Sequence, residues 1–289
     1  MNVEFYKEQL EAKEAMLVST TRYLLDTKRL LEEKNTELTT ANNDIFSSIK
    51  FAELIQNSLL PNVDLLKIFL KDATYKIIQQ IGIGGDTIFA KNISQGIVFG
   101  LLDSTGHGVP AAMLSIAGSL SINELTSTME INSPSVLLKL LNYQLNTTFR
   151  NNDNSIAHME GTIFYYSAKT KQLTYSSAKG KVLHIDTENN ITELKVTKKS
   201  IGENTSSEFD NYTIDFKTGD KLFLYSDGLT DQFGGEKNKK FSKARLISIL
   251  KQCSKKSVSE INEIVEKEHL AWKKNNHQTD DLSYMIIEL

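Results

Sequence analysis

The sequence predicts an α+β protein in which a long N-terminal helix precedes a domain of short strands and helices. Residues 1–60 contain no glycine or proline and place an apolar residue at every seventh position. From about residue 70, short apolar and β-branched runs are separated by turn residues and by stretches with helical periodicity. We therefore expect two regions, a helical segment over 1–61 and a mixed domain over 62–289.

Composition narrows the possible functions. The chain has 289 residues, a net charge of −3 and 40% hydrophobic residues, which is enough for a substantial core. With four arginines and a negative net charge, the chain lacks the basic composition expected of a nucleic-acid-binding protein. A single cysteine, Cys253, excludes an intramolecular disulfide and a cysteine-based zinc cluster. We expect no membrane span and no signal peptide, because no apolar run reaches 18 residues, and we expect a cytoplasmic protein.

The N-terminal segment has the apolar pattern of a coiled coil. Its stripe consists of Leu10, Leu17, Leu24, Leu31, Leu38, Ile45, Ala52 and Leu59. If these are heptad d positions, most a positions are polar, and they include Asn35 and Asn42. Polar a positions lower stability but select register and a two-stranded state. The spacing favours a homodimeric coiled coil over a long helix packed on its own domain, and Pro61 should end the helix.

The first half of the following domain combines strands with two helices. Strands are expected over residues 75–81, 87–91 and 95–102. A glycine-rich turn over 82–86 ends on an aspartate. Helices are expected over 109–128 and from Pro134 onward, where a preceding serine can cap the helix.

The second half is expected to begin with β structure and to close with helices and one strand. Alternating apolar runs predict a hairpin within 161–176, a second within 182–196, and strands over 212–216, 221–225 and 282–287. Helical periodicity predicts helices over 242–252 and 257–274. We expect exposed loops over 150–165 and 234–240.

A strand–turn–helix at residues 97–112 is the most informative stretch. The apolar run Ile97–Leu102 predicts a buried strand that ends on the carboxylate Asp103. The next turn contains two glycines and His107, and Pro110 suits the first turn of the following helix. A carboxylate and an imidazole are thus expected at the mouth of this turn.

Four aspartates share this position at the edge of an apolar strand, namely Asp86, Asp103, Asp227 and Asp280. Buried carboxylates repel one another and are usually compensated by a cation. Oxygen ligands without cysteine or paired histidine favour Mg²⁺ or Mn²⁺ over Zn²⁺. Two metals that share one carboxylate would use all four and would activate a water. Each aspartate taken singly is ordinarily a turn residue, so both interpretations remain open on the pattern alone.

The blocks around these aspartates resemble a known family. In order and spacing they are similar to the signature blocks of the metal-dependent (PPM) protein phosphatases, in the SpoIIE-like branch that acts on phosphoserine proteins in partner-switching pathways. The blocks are Gly84-Gly85-Asp86, the run from Asp103 to Ala111, Tyr225-Ser226-Asp227-Gly228 and Asp280-Asp281. Ile55-Gln56 with Leu59-Leu60-Pro61 resembles the linker that precedes this domain. The resemblance covers about residues 50–289.

The resemblance implies a fold and a ligand set. The fold would be an α/β sandwich of two antiparallel sheets flanked by helices, with two Mn²⁺ or Mg²⁺ ions at one edge. Asp103 would bridge both ions, Asp86 and the backbone carbonyl of Ser104 would bind one, and Asp227 and Asp280 would bind the other. Asp281 would support these ligands without binding metal. A water activated between the ions would attack the phosphorus directly.

Two features of the sequence leave the roles of individual residues open. Residues 177–181 read Ser-Ala-Lys-Gly-Lys where the family usually has Gly-His/Asn-Asn-Pro, and Thr87-Ile88 stand where aromatic residues are usual. These departures concern substrate contacts and no metal ligand. His107 would act as a general acid or would brace its turn by hydrogen bonds, and its position four residues after Asp103 favours the brace.

Three functions are consistent with these patterns. The first is a phosphatase that removes phosphate from serine or threonine of a partner signalling protein, for which the family suggests a STAS-type anti-sigma antagonist. The second is a catalytically silent coiled-coil signalling adaptor. The third is a hydrolase of small phosphate esters, which the scarcity of arginine disfavours. The presence of all four aspartates favours the enzyme.

Overall fold

The computed structural model describes residues 2–148, 158–204 and 206–289, and it begins with one long helix. This helix, α1 (Asn2–Ser58), runs without interruption because its sequence contains neither glycine nor proline. Its apolar stripe is exposed from Leu10 to Ile45, with Leu24 at 60% and Leu31 at 69%. The chain separates into two compact units, one ending at Phe51 and the other spanning Ala52–Leu289, so the last turns of α1 belong to the second unit.

The second unit contains strands in two five-stranded sheets, with helices between them along the chain. The strands are β1 (Asp72–Ile78), β2 (Asp86–Ile93), β3 (Gly96–Ser104), β4 (Met159–Ser167), β5 (Leu173–Ala178), β6 (Lys181–Ile185), β7 (Ile191–Glu193), β8 (Tyr212–Ile214), β9 (Lys221–Tyr225), β10 (Phe233–Gly234), β11 (Lys239–Lys240) and β12 (Leu282–Glu288). The helices are α2 (Asp64–Lys67), α3 (Val109–Thr128), α4 (Pro134–Thr148), α5 (Asp227–Asp231), α6 (Lys243–Cys253) and α7 (Val258–Lys273).

Both five-stranded sheets are antiparallel. We call the one with strand order β1-β12-β9-β6-β7 the first sheet, and the one with order β2-β3-β4-β5-β8 the second sheet. The order places the last strand, β12, between β1 and β9. Strands that are far apart in the sequence therefore end side by side.

The core has three layers, which the alternation of side chains along each strand produces. On β3, Phe99 and Leu101 face a central core shared with the first sheet, whereas Val98 and Leu102 face a core formed with α3 and α4. On β12, Met285 points to the central core and its neighbours point to a core formed with α6 and α7. The domain is therefore a β sandwich with helices on both outer faces, and the predicted α+β fold class is confirmed.

Two predicted loops differ from the structure. Residues 234–240 lie in a short hairpin of β10 and β11, because Gly234 and Gly235 pack directly on Trp272, whose indole nitrogen donates to the Lys239 carbonyl (3.1 Å). Residues 159–165 are part of β4 because they pair with β3, whereas residues 150–157 of that predicted loop lie outside the described residues. Among the helices that the structure describes, none is long and apolar enough to cross a membrane.

Candidate metal centre

The structure brings the four predicted aspartates to one end of the sandwich, two from each sheet. Asp86 begins β2 and lies directly opposite Asp103 of β3 in the second sheet. Asp227 follows β9, and Asp280 precedes β12, which pairs with β9 in the first sheet. The hydroxyl of Ser226 donates to Asp86 Oδ2 (2.7 Å) and so joins the edges of the two sheets.

The electrostatics of this edge are those of crowded anions. Burial raises the pKa of Asp86 well above its ordinary value, and the nearby Asp103 raises it further. Burial, followed by the charge of Asp227, raises the pKa of Asp103 to about 8. Burial also raises the pKa of Asp280. Holding these groups as anions at neutral pH costs free energy that a bound cation would recover.

Asp281 holds the loop that precedes Asp86. It is buried, and its two carboxylate oxygens accept hydrogen bonds from the backbone N–H groups of Gln80 (2.7 Å) and Gly85 (2.6 Å). A side chain at Gly84 would overlap with Asp281 itself, so glycine is required where the loop passes over this carboxylate. Asp281 is therefore committed to the loop by both of its oxygens.

Ser104 lies where the loop of Asp86 and the end of β3 meet. Its N–H donates to the Gly85 carbonyl (3.1 Å), and its own carbonyl is so close to Gly85 that a side chain there would overlap with it. The Ser104 hydroxyl is buried and has no hydrogen-bond partner in the described part of the chain. The contact with Gly85 brings the Ser104 carbonyl, the predicted ligand, close to the residue before Asp86.

His107 lies in the exposed turn before α3, which Gly108 starts with a positive φ of 74°. The side-chain hydrogen bonds described in this turn join Thr105 to His158, and none of them involves the His107 imidazole. Burial raises the pKa of Asp280 and of Asp281, and His107 opposes both rises. The imidazole therefore acts on the acidic edge of the first sheet.

Sequence reasoning missed two residues at this edge. Lys181 lies 3.6 Å from Asp227. Gln56, in the last turns of α1, is buried and donates from Nε2 to the Gly84 carbonyl (2.6 Å) and to Ser115 Oγ (2.7 Å). The signals were present, since Lys181 is in the segment that departs from the family and Gln56 is in the linker that resembles it. Neither signal gave the partner, because the contacts join distant segments.

The carboxylates fit a divalent cation by their chemistry. As they stand, the described residues contain no group of three or more His, Cys, Asp or Glu side chains arranged to hold a metal ion. The donors are nevertheless all oxygen, they are mutually repelling, and they are countered by one lysine and one exposed histidine. A hard cation such as Mg²⁺ or Mn²⁺ is the partner that such a set prefers.

Solved structures share this fold. The SiaA-PP2C domain of Pseudomonas aeruginosa aligns with a TM-score of 0.77 and 21% identity over 86% of this chain and 98% of that one. The PP2C phosphatase domain of SpoIIE from Bacillus subtilis, with a fragment of its regulatory domain, aligns with a TM-score of 0.60 and 14% identity over 75% and 62%. RsbX in complex with magnesium gives 0.55 and 16% over 75% and 94%. The fold is thus that of the PP2C-type phosphatases.

The sequence itself assigns the family. The family model of stage II sporulation protein E (SpoIIE) matches residues 94–289, which is more than half of the chain. The chain belongs to this family, and the resemblance predicted from its motifs is confirmed. No curated protein matches the chain in sequence.

Proposed function

We propose that this protein is a metal-dependent protein phosphatase that hydrolyses phosphoserine or phosphothreonine on a partner signalling protein. The observation that carries the proposal is the convergence of four aspartates, two from each sheet, at one end of a PP2C-type sandwich. Membership of the SpoIIE family supports phosphatase activity as such. A STAS-type anti-sigma antagonist remains our proposed substrate on the basis of the family resemblance.

In this proposal, the aspartates would divide into ligands of two Mn²⁺ or Mg²⁺ ions. Asp103 would be shared by both ions, Asp86 and the Ser104 carbonyl would hold one, and Asp227 and Asp280 would hold the other. When bound, the ions supply a water that is acidic enough to be a nucleophile at neutral pH. The chain itself keeps the ligands in register, since β2 and β3 fix Asp86 opposite Asp103.

Two further residues act around these ligands. Asp281 holds the loop before Asp86 through two backbone N–H groups. His107 is exposed and acts electrostatically on Asp280, which supports a role in giving a proton to the leaving serine oxygen. Exposure leaves its imidazole free to meet a protein substrate.

The alternative, a silent signalling adaptor, uses the same N-terminal helix without the metal chemistry. It is weakened because a silent domain would not need to retain four mutually repelling aspartates, which raise the free energy of the metal-free protein. Hydrolysis of a small phosphate ester such as nitrophenyl phosphate with Mn²⁺, with and without a chelator, separates the two. We expect hydrolysis that the chelator abolishes. If the protein hydrolyses no ester at any Mn²⁺ concentration, the adaptor is favoured.

We also propose that α1 dimerises the protein and sets its activity through residues 45–60. The exposed leucine stripe supports a partner helix, and a second copy of α1 is the simplest one. Gln56 supports the link to activity, because it binds the Gly84 carbonyl and accepts from the Gly84 N–H (3.3 Å), two residues before Asp86. A shift of this helix would therefore move the loop that carries a proposed ligand.

Light scattering and turnover of the full chain test this second proposal. We expect a dimer for the wild type and a monomer with altered turnover for Leu24→Lys with Leu31→Lys. Met16→Lys with Leu30→Lys is the matched control, since both residues are exposed and lie off the stripe. A wild-type monomer, or a stripe variant that stays dimeric, would contradict the coiled coil.

A further inference from the structure

Lys181, the first residue of β6, lies beside the proposed ligands without belonging to them. β6 pairs with β9 in a register that puts Lys181 opposite Tyr225, two residues before Asp227. Lys181 Nζ is 3.6 Å from Asp227 Oδ2. Burial and then Asp227 raise the pKa of Asp103, and Lys181 opposes that rise. One ammonium group thus acts on carboxylates of both sheets.

The neighbouring Lys179 shows by contrast what a structural lysine has in the same turn. Its Nζ donates to Ser200 Oγ (2.8 Å) and lies 3.6 Å from Glu160 and 3.8 Å from Glu203. Both of those carboxylates are outside the proposed ligand set, so they would keep Lys179 neutralised whether or not metal is bound. The ion pair of Lys181 is instead with a proposed metal ligand.

The backbone that carries Lys181 is fixed over the acidic edge. A side chain at Gly180 would overlap with Thr162 Oγ1 and with the backbone of Gly161, so this turn packs directly on β4. Between the turn and β4 lies a narrow cleft of about 10 Å³, room for about one water molecule, which is lined by Asp103, Glu160, Thr162 and Lys181, among others. The flexible lysine side chain therefore starts from a rigid turn and lines a cleft that also contains Asp103.

A phosphoryl group is the ligand whose charge suits this lysine. Cations bound at Asp103 and Asp227 would neutralise those carboxylates, and Lys181 would then lose the ion pair that it makes among the described residues. A phosphate dianion held by the same cations would supply one through an oxygen that does not bind metal. Arg245 is the one arginine of residues 52–289 that the structure describes. Its guanidinium stacks over the Trp272 ring (4.0 Å).

We propose that Lys181 binds a non-bridging phosphate oxygen of the substrate, and of the phosphate product, in the metal-loaded protein. The inference rests on the proposed function, and it assigns phosphate recognition to Lys181 and not to its neighbour Lys179. Because the contact is made to a group present in substrate, transition state and product, its loss should weaken binding more than it slows the chemical step.

Three measurements on the full-length chain test this role. They are the affinity for inorganic phosphate by calorimetry at saturating Mn²⁺, the affinity for Mn²⁺ alone by electron paramagnetic resonance, and KM and kcat for nitrophenyl phosphate. For Lys181→Met we expect phosphate affinity to fall by about tenfold or more and KM to rise similarly, since a charge-assisted hydrogen bond is lost. Mn²⁺ affinity should stay equal or increase, because a repelling charge has been removed.

Matched variants control for the loss of a lysine as such. Lys181→Arg should keep phosphate affinity within about threefold of the wild type, because it keeps the charge. Lys76→Met removes a lysine of similar exposure from its ion pair with Glu266 (2.7 Å) and should change none of the three quantities. Lys181→Gln is the second uncharged variant if Lys181→Met does not fold.

The outcomes separate this inference from the proposed function. Unchanged phosphate affinity in the uncharged variants overturns the inference while the wild-type activity upholds the enzyme. Weaker Mn²⁺ binding in these variants also overturns it, because Lys181 would then be a support for the ligands. A wild-type protein that binds no Mn²⁺ and hydrolyses no ester would overturn the proposed function, and this inference with it.

Discussion

The two sheets supply their aspartates in different states. Asp86 of the second sheet is 1% exposed and pinned by Ser226, and it faces Asp103, whose pKa is raised to about 8 mainly through burial. Asp227 of the first sheet has a side chain that is 43% exposed and paired with Lys181. The pair from the second sheet is therefore electrostatically costly, whereas Asp227 of the first sheet is partly hydrated and already paired with a lysine.

This difference suggests how much each sheet contributes to the free energy of metal binding at the proposed centre. A buried, rigid carboxylate pair has little freedom to lose when a cation binds, and it regains the cost of its repulsion. A half-exposed carboxylate must give up water and, at Asp227, an ion pair. The pair from the second sheet should thus dominate metal affinity, and the carboxylates from the first sheet should adjust to the ligand.

The largest effect is expected at the shared position. Asp103→Asn should lower turnover of nitrophenyl phosphate with Mn²⁺ by about 10³-fold or more, because the charge that two cations would share is lost. Asp227→Asn affects one cation only and should lower turnover less, by about 10²-fold. Melting in chelator should show Asp103→Asn at least as stable as wild type. If the Asp103→Asn variant keeps more than a few per cent of the wild-type turnover, the two-metal assignment is wrong.

The free energy of unfolding of the metal-free protein should depend on pH, and this dependence should distinguish the aspartates of the two sheets. The pKa of Asp103 is about 8 in the folded protein, mainly through burial, and near its ordinary low value when unfolded. Between these values the folded state holds a proton that the unfolded state has released. This contribution to stability is therefore complete at acidic pH and is lost as the pH rises to about 8, with a slope of up to about 1.4 kcal/mol per pH unit.

Urea unfolding in chelator between pH 5 and pH 8 measures this slope. The wild type should lose free energy of unfolding as the pH rises, and Asp103→Asn should flatten the decline. Asp227→Asn should leave more of it in place, since burial is the main cause of the Asp103 shift. Equal slopes in the wild type and in Asp103→Asn would mean that protonation of Asp103 does not cause the decline.

A smaller effect is expected where α1 meets the loop of the buried pair. Gln56→Ala removes two buried hydrogen bonds to Gly84, for a loss of about 1–3 kcal/mol, and it should weaken Mn²⁺ affinity by about tenfold. The exposed neighbour provides the control, since Asn57→Ala should change neither quantity. A lower melting temperature with unchanged Mn²⁺ affinity would limit Gln56 to a structural role.

The smallest effect is expected at the exposed imidazole. His107→Gln should slow hydrolysis of a phosphoserine peptide severalfold, because the alkoxide leaving group needs a proton, and should leave nitrophenyl phosphate nearly unchanged. The ratio of the two rates is the measurement, and it does not depend on how much of the protein is active. Equal losses with both substrates would instead identify His107 as a brace for its turn.

The sequence by itself determined the local part of this protein. Continuous apolar runs predicted β3 and β9, and the heptad stripe and the absence of glycine predicted α1. Each aspartate was predicted at the edge of an apolar strand. These features depend on neighbours within a few residues, so a single sequence reveals them. The motifs also predicted the family, which the family model confirmed.

Only the tertiary structure decided which of these pieces meet. The N–H of Gly85 reaches Asp281 across 196 residues, and Ser226 reaches Asp86 across 140, because the sheet order places β12 beside β9 and the sandwich brings their edges to β2. No local sequence pattern indicates the partners of Gln56 and Lys181, since glutamine and lysine side chains are ordinarily solvated. Their roles follow from packing between distant segments, where burial and charge, rather than backbone period, determine what a side chain does.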